Sequence, residues 1–399
     1  MKLKGLSLLL VVTMILAICA GCKPSAPTDF EVRLEPVNFE KKLDYIAPED
    51  RSFWSKRADI MLNYWYENAM SRRGIFYNVL AKNGGNDGDG GFHYWVQAQL
   101  VDSTVDAYIR TGDKIYAQRA KDLIFSVKEQ NGNHLTNDFY DDMAWMACAM
   151  AKLYTVTEDP DLMQDMLVLY EVIMNSWHPD GGIAWCRDEP NYRNTPANGP
   201  ACIFAMRMYK ITGEQEYLDM ANKIFDWLDA TLVDHESGLV WDGLNRNGDN
   251  KIDKDWRFTY CQGVYIGSCV ELYKVTNDEK YIEKAIKTAD YTIKDLAPLR
   301  GVLQDEGKGD GGAFKGIFCR YFVDLIETTD KNREKYVDFL VDNAKIMWSK
   351  IPSEEQPVCG PFWAISGKMP VQLHVMSSGI ALLESVSRIT NVPEEAQPE

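Results

Sequence analysis

Histidine and cysteine are scarce in this 399-residue chain, which has 5 histidines and 9 cysteines. The histidines are scattered, so they support neither a Ser-His-Asp triad nor a histidine-rich metal site. No two cysteines form a C-x-x-C pair, and the seven beyond the N-terminal segment are dispersed. We therefore expect no metal, no cofactor and no disulfide framework, although one incidental disulfide stays open.

Basic residues are also in short supply. Lys and Arg total 43 against 59 Asp and Glu, which gives a formal net charge of −16. Such a surface repels phosphate backbones and anionic lipid headgroups, so nucleic acid is not an expected partner. A neutral ligand such as a polysaccharide fits this charge.

Long apolar runs are absent beyond the first residues. A short basic start precedes an apolar run from Leu6 to Ile18, which is too short for a convincing spanning helix and is typical of an export signal. The following Cys19-Ala20-Gly21-Cys22 resembles a bacterial lipobox, although Cys19 replaces the usual Leu. We expect an exported protein anchored through a lipid on Cys22, on either face of the outer membrane. A soluble secreted protein is the alternative.

An apolar helix followed by a short Thr-rich turn and an amphipathic helix recurs along the chain, as in the segments ending at Thr111-Gly112-Asp113 and Thr276-Asn277-Asp278. The apolar residues follow the helical period, and the repeat indicates an array of helical hairpins. Twelve helices are expected to start near Arg51, His93, Asp113, Asp138, Asp159, Thr195, Glu214, Thr259, Asp278, Phe314, Arg333 and Val371.

Six hairpins can close into an all-α (α/α)6 barrel, and an open solenoid is the competing architecture. The barrel is favoured because predicted inner and outer helices differ consistently. The long loops all precede inner helices, so in a barrel they share one face, where function tends to gather. We assign residues 1–21 to a signal peptide, 22–45 to a tether, 46–392 to the barrel and 393–399 to a tail.

Two adjacent aspartates, Asp141 and Asp142, open a predicted inner helix on this face. Alone, they would be an ordinary acidic helix start. In the first turn, however, both carboxyls can reach the barrel mouth, about 5 to 6 Å apart, which is the spacing of retaining glycosidases. We therefore predict a catalytic pair.

Aromatic, amide and carboxylate side chains near the same face are candidates for binding sugar rings and hydroxyls. The candidates are Trp95, Gln97, Tyr140, Trp185, Asn198, Asp242, Tyr260, Gln262 and Phe314. Core packing is the alternative for each aromatic, whereas an unpaired amide in an apolar helix would be costly. A loop from Asn245 to Asp253 partly resembles a calcium loop but lacks its final glutamate, so a turn-rich surface loop is the better account.

Several ordered motifs now carry a family resemblance. They are Phe139-Tyr-Asp-Asp-Met-Ala-Trp145, Gly182-Ile-Ala-Trp185, Ala197-Asn-Gly-Pro-Ala201, Leu239-Val-Trp-Asp-Gly243, Phe258-Thr-Tyr-Cys-Gln-Gly263 and Phe314-Lys-Gly-Ile-Phe318. This set resembles glycoside hydrolase family 76, the bacterial and fungal endo-α-1,6-mannanases, over nearly the whole mature chain. The chain departs from the family pattern at Cys261 and Gln99, where Asn and His are usual.

The resemblance implies an (α/α)6 barrel and retaining, endo-acting cleavage of α-1,6-linked mannan. It also implies Asp141 as the nucleophile, Asp142 as the acid/base and Asp242 as a subsite carboxylate. A monomer that binds α-mannan is expected. The alternatives are a catalytically silent glycan-binding lipoprotein and another (α/α)6 barrel enzyme, such as an unsaturated uronyl hydrolase or an epimerase.

Overall fold

Outer and inner helices alternate along the chain, in a computed structural model that describes residues 36–39, 41–88 and 91–390. The six outer helices in these ranges are α1 (Phe53–Ala69), α3 (Lys114–Gln130), α5 (Asp161–Met174), α7 (Gln215–Leu232), α9 (Glu279–Asp295) and α11 (Arg333–Trp348). The six inner helices are α2 (Tyr94–Thr111), α4 (Tyr140–Thr157), α6 (Thr195–Thr212), α8 (Thr259–Thr276), α10 (Gly311–Thr328) and α12 (Leu373–Ile389). Each predicted start lies within three residues of the observed one.

The inner helices close into a ring. Each packs against the next inner helix in chain order, and α12 packs against α2. Helix α8 is buried along most of its length because it is apolar on all sides, whereas α9 buries only one face. The closed ring rules out an open solenoid, and the predicted (α/α)6 barrel is confirmed.

Threonine at the ends of inner helices explains the short turns. The Thr111 hydroxyl donates a hydrogen bond to the Ala107 carbonyl at 2.7 Å and accepts the Asp113 N–H at 3.1 Å. Asp113 then caps α3 by accepting the Ile115 N–H. Gly112, between them, has φ +62°, and a Cβ there would collide with the backbone of Asp44, in the segment before α1. The same threonine contacts recur at Thr157, Thr212 and Thr276.

Short strands, which the sequence did not predict, tie the long loops together. Strands β1 (Val79–Ala81), β2 (Gly84–Asn86) and β5 (Val371–Gln372) form one antiparallel sheet in the order β2-β1-β5. Strands β3 (Arg193–Asn194) and β4 (Gly243–Leu244) form a second. The loops before α2 and α12 are therefore linked, as are the loops before α6 and α8.

Buried ion pairs link inner helices below the long loops, and the pair between α2 and α10 crosses the bore because these two helices are not neighbours in the ring. Arg110 of α2 pairs with Glu384 of α12 at 2.8 Å, and Arg320 of α10 pairs with Asp102 of α2 at 3.2 Å. Burial opposes a charge on Asp102, yet Arg320 and Lys152 hold the pKa of this carboxyl well below its usual range. A cavity of about 560 Å³ lined by charged side chains lies at the short-turn end.

Some sequence predictions fall outside the described residues. These are the signal peptide, most of the tether with Cys22, and the C-terminal tail, which all stay predictions. The seven cysteines in the described ranges are free and buried. Over those same ranges, none of the helices combines the length and apolarity needed to cross a bilayer.

Candidate active site

A cleft of about 840 Å³ opens on the long-loop face. Its walls come from the starts of the inner helices and from the loops that precede them. Seven predicted site residues line it: Trp95, Asp141, Asp142, Trp185, Asp242, Tyr260 and Phe314. The long loops therefore gather these side chains on one face, as the repeat predicted.

The two adjacent aspartates lie in the first turn of α4, and their hydrogen bonds differ. The carboxylate of Asp141 accepts the Asp142 N–H at 3.0 Å and the Trp185 indole N–H at 3.1 Å. Asp142 accepts the side-chain amide of Asn137 at 2.9 Å. Among the described residues, Asp141 thus has more donors than Asp142, which favours its ionised form.

Burial raises the pKa of both carboxyls. It raises the pKa of Asp141 to about 7, with a contribution from the charge of Asp242, against the donors from Asp142 and Trp185. Burial and the charge of Asp141 raise the pKa of Asp142 well above its usual range, against the amide of Asn137. Because the two groups repel when both are ionised, they titrate as a pair. The site can therefore hold one carboxylate and one protonated carboxyl near neutral pH.

Asp242 is buried behind the cleft surface, with only 1% of its area exposed. It accepts hydrogen bonds from the hydroxyls of Tyr260 at 2.5 Å and Tyr192 at 2.8 Å, and from Arg246 at 2.5 Å. The Tyr260 ring in turn stacks on Phe314 at 3.8 Å between centroids. Asp242 thus fixes the positions of three cleft side chains, and its oxygens are largely occupied by protein donors.

The loop that partly resembles a calcium site uses its oxygens internally. Asn245 accepts the Asn250 N–H at 2.8 Å, and Asp249 accepts the Lys251 N–H at 3.2 Å. Asp253 pairs with Arg246 at 3.0 Å. The described residues contain no cluster of three or more His, Cys, Asp or Glu side chains suited to a metal.

The three amides predicted to bind substrate hold the long loops instead. Each amide is fully buried, does not line the cleft, and pairs with both the N–H and the C=O of one loop residue. Gln97 pairs with Phe76, Asn198 with Ile183, and Gln262 with Val240, at distances of 2.7 to 3.0 Å. Their substrate-binding prediction was wrong because backbone groups, not sugar hydroxyls, satisfy them.

Two exposed aromatics in the cleft were missed. Tyr140, a predicted platform, does not line the cleft, while its neighbour Phe139 does and is 40% exposed. Trp256 also lines the cleft, is 43% exposed, and has the Arg246 guanidinium 3.7 Å from its ring. Trp256 ends a loop without periodicity, so only its residue type could have indicated a role.

A second missed group lies beside Trp95. Asp310 lines the cleft and accepts the Trp95 indole N–H at 3.2 Å. The rings of His93 and His374, which appeared isolated in sequence, lie 5.2 Å apart, and His374 lies 3.5 Å from Asp310. In the sequence, Gly311 and Gly312 after Asp310 were the one indication of an unusual backbone conformation at this point.

Comparison with known proteins gives consistent matches. Residues 54–393 match the profile of glycosyl hydrolase family 76. The GH76A alpha-1,6-mannanase of Salegentibacter sp. is 36% identical, with a TM-score of 0.80, and the match covers 84% of this chain and 100% of that one. An inactive variant of that enzyme, with two consecutive aspartates replaced by asparagine, has been solved in complex with alpha-1,6-mannotriose. It is 35% identical to this chain, with the same TM-score and coverage.

A curated fungal relative matches over a shorter span. Mannan endo-1,6-alpha-mannosidase DCW1 of Candida glabrata is 24% identical over 232 residues, which are 53% of this chain and 52% of the relative. The match spans about half the length of that relative. The profile match and the Salegentibacter enzyme cover most of this chain, and they agree with the barrel and with the hydrolase class predicted from the sequence. This chain belongs to glycosyl hydrolase family 76.

Proposed function

We propose that this chain is an endo-acting, retaining glycoside hydrolase that cleaves α-1,6-mannosidic linkages in mannan backbones. The observation that carries the proposal is the adjacent pair Asp141 and Asp142, with unequal hydrogen bonds, in a cleft lined by aromatic rings. The Salegentibacter alpha-1,6-mannanase and its inactive double-aspartate variant support the same chemistry.

Asp141 is the nucleophile in this mechanism because its donors stabilise a carboxylate. One of its oxygens attacks the anomeric carbon, and an ester bond forms while the bond to the glycosidic oxygen breaks. Asp142 gives its proton to that oxygen, so the leaving chain departs as an alcohol. Water then attacks the same carbon, loses a proton to Asp142 and releases the Asp141 carboxylate. Two inversions leave the anomeric configuration unchanged.

The cleft suits a neutral sugar chain. Phe139 and Trp256 present exposed rings against which the C–H faces of mannosyl units can stack. The cleft lining comes from the loops before five of the inner helices, so residues on both sides of the catalytic pair are available to a sugar chain. We propose that the mannan chain extends past the cleaved bond in both directions, as internal cleavage requires.

Product analysis on linear α-1,6-mannan tests the proposal. We expect a ladder of shorter oligosaccharides early in the reaction, with the α-anomer appearing first in proton NMR. Binding to mannan without shortening would favour a catalytically silent glycan-binding protein, and a first-formed β-anomer would remove the double displacement.

We also propose an exported lipoprotein, anchored through Cys22 and monomeric. The support is the apolar run up to Ile18 and the Cys19-Ala20-Gly21-Cys22 ending. Labelling with a palmitate analogue in a bacterial host should mark the native chain and not Cys22→Ala. Label that persists in Cys22→Ala would contradict an anchor on Cys22. Light scattering of the purified chain tests whether it is a monomer.

A further inference from the structure

Asp310 presents a carboxylate to the cleft from the start of α10. Its Oδ1 atom accepts the Trp95 indole N–H at 3.2 Å and lies 3.5 Å from Nε2 of His374. The His374 ring also lies 5.5 Å from the Trp95 ring, between centroids, so the three side chains form one cluster. The side chain of Asp310 is nevertheless 71% exposed to solvent.

Two glycines explain why Asp310 sits at this point. A Cβ at Gly311 would lie 1.8 Å from the carbonyl oxygen of Glu306, and a Cβ at Gly312 would lie 3.0 Å from the backbone of Val375. Only glycine lets the first turn of α10 approach these segments. The backbone that carries Asp310 is therefore held against two neighbouring elements.

The second oxygen of Asp310 is available for a ligand. Both protein contacts use Oδ1, and among the described residues no side chain or backbone donor bonds to Oδ2. The hydrogen bond from His374 lowers the pKa of Asp310, so the group is ionised near neutral pH. Asp242, by contrast, is buried, and its carboxylate accepts hydrogen bonds from Tyr192, Arg246, Tyr260 and the Cys261 thiol. Asp310 is thus the better-placed carboxylate for a sugar hydroxyl.

The contacts of the catalytic pair distinguish two sides of the cleft. Asp141 accepts a hydrogen bond from the Trp185 indole, whose ring centroid lies 5.7 Å from that of Tyr192. The Tyr192 hydroxyl in turn donates a hydrogen bond to Asp242. These residues belong to α4 and to the loops before α6 and α8. They define the side of the nucleophile.

Asp142 faces the other side. It accepts a hydrogen bond from the side-chain amide of Asn137, in the loop before α4. The Tyr94 hydroxyl of α2 donates a hydrogen bond to the Leu135 carbonyl of that loop at 2.8 Å. Trp95, the next residue of α2, holds Asp310. The negative charge of Asp310 also contributes to the raised pKa of Asp142. Because the general acid protonates the departing oxygen, the leaving sugar lies on this side.

We propose that Asp310 binds hydroxyls of the mannosyl residue on the leaving-group side of the cleaved bond, with Trp95 and His374 as positioning residues. The inference rests on the proposed mannanase function. Asp310 would set which way the mannan chain runs across the catalytic pair. It would also hold an acceptor sugar when an alcohol, in place of water, attacks the ester on Asp141.

The test compares two substrates with Asp310→Asn, each enzyme being assayed at its own pH optimum. On α-1,6-mannotetraose we expect kcat/KM to fall about tenfold or more, the scale of one lost hydrogen bond to a charged acceptor. On a 4-nitrophenyl α-1,6-mannobioside, whose leaving group carries no mannosyl hydroxyl, we expect a change of less than about twofold. Transfer to added mannobiose should fall relative to hydrolysis. Trp95→Phe should give a smaller shift in the same ratio.

Asp305→Asn is the matched control because it removes the same charge from an exposed residue in the same loop, outside the cleft lining. Equal losses on both substrates, or no loss on either, would overturn the role of Asp310. If the native enzyme cleaves neither substrate, the proposed function itself fails, and the two failures are therefore distinguishable.

Discussion

The indole of Trp185 should set the acid limit of activity through its hydrogen bond to Asp141. Trp185→Phe keeps a ring in the cleft but removes the N–H that lies 3.1 Å from Oδ2 of Asp141. A hydrogen bond to a charged group contributes roughly 1.5–3 kcal/mol. Since one pKa unit corresponds to about 1.4 kcal/mol, the lost donor should raise the pKa of Asp141 by about one to two units.

The direction of the change in the pKa of Asp141 follows from which ionisation state of Asp141 loses a hydrogen-bond donor. The N–H stabilises the carboxylate, so its removal makes ionisation harder and raises the pKa of Asp141 from about 7. The nucleophile must be ionised, and therefore the acidic limb of kcat/KM against pH should move upward by about one unit or more. Near neutral pH this shift alone lowers kcat/KM about tenfold.

The assay is kcat/KM on α-1,6-mannotetraose across the pH range in which the fold is intact by circular dichroism. Trp348→Phe, on the outer helix α11, is the control, because its ring lies outside the cleft lining. A uniform loss of rate with an unmoved acidic limb would mean that Trp185 acts only by stacking. A limb that moves to lower pH would refute the electrostatic argument.

Asp141→Asn and Asp142→Asn should each lower mannan turnover by about 10²–10⁴-fold with the fold intact, and a near-native rate in either would remove that residue from the mechanism. An aryl mannobioside should distinguish them in stopped-flow release of nitrophenol, since Asp142→Asn keeps a burst that Asp141→Asn lacks. Arg110→Ala leaves Glu384 buried without this partner, so the free energy of unfolding in urea should fall by about 3–5 kcal/mol. Lys331→Ala, at an exposed ion pair, should leave the unfolding midpoint unchanged, and similar curves for both variants would contradict this reasoning.

The helical part of the fold was predictable because its signals are local. Each inner helix ends at a Thr-containing turn whose hydrogen bonds span only a few residues, as at Thr111 and Asp113. The alternation of fully and partly apolar helices then identified inner and outer positions. The first-turn location of Asp141 and Asp142 followed from the same pattern.

The parts that were missed depend on distant contacts. Sequence reasoning identified Gln97 as an amide that needs a partner, but it could not tell a sugar hydroxyl from the backbone of Phe76. Asp310 has two partners: Trp95, which is 215 residues away in the sequence, and His374, which belongs to another helix. The short strands between loops depend on similarly distant pairing.

The ion pairs in the bore have a consequence for how a polymer is handled. The buried ion pair between Arg320 of α10 and Asp102 of α2 joins two inner helices that are not neighbours in the ring, so it crosses the barrel beneath the cleft. A glycan therefore cannot thread through the barrel along its axis. A mannan chain has to lie across the mouth, and both fragments leave into solvent on the same side. With the axis crossed in this way, we expect the proposed enzyme to release the polymer after each cut and to act distributively rather than processively.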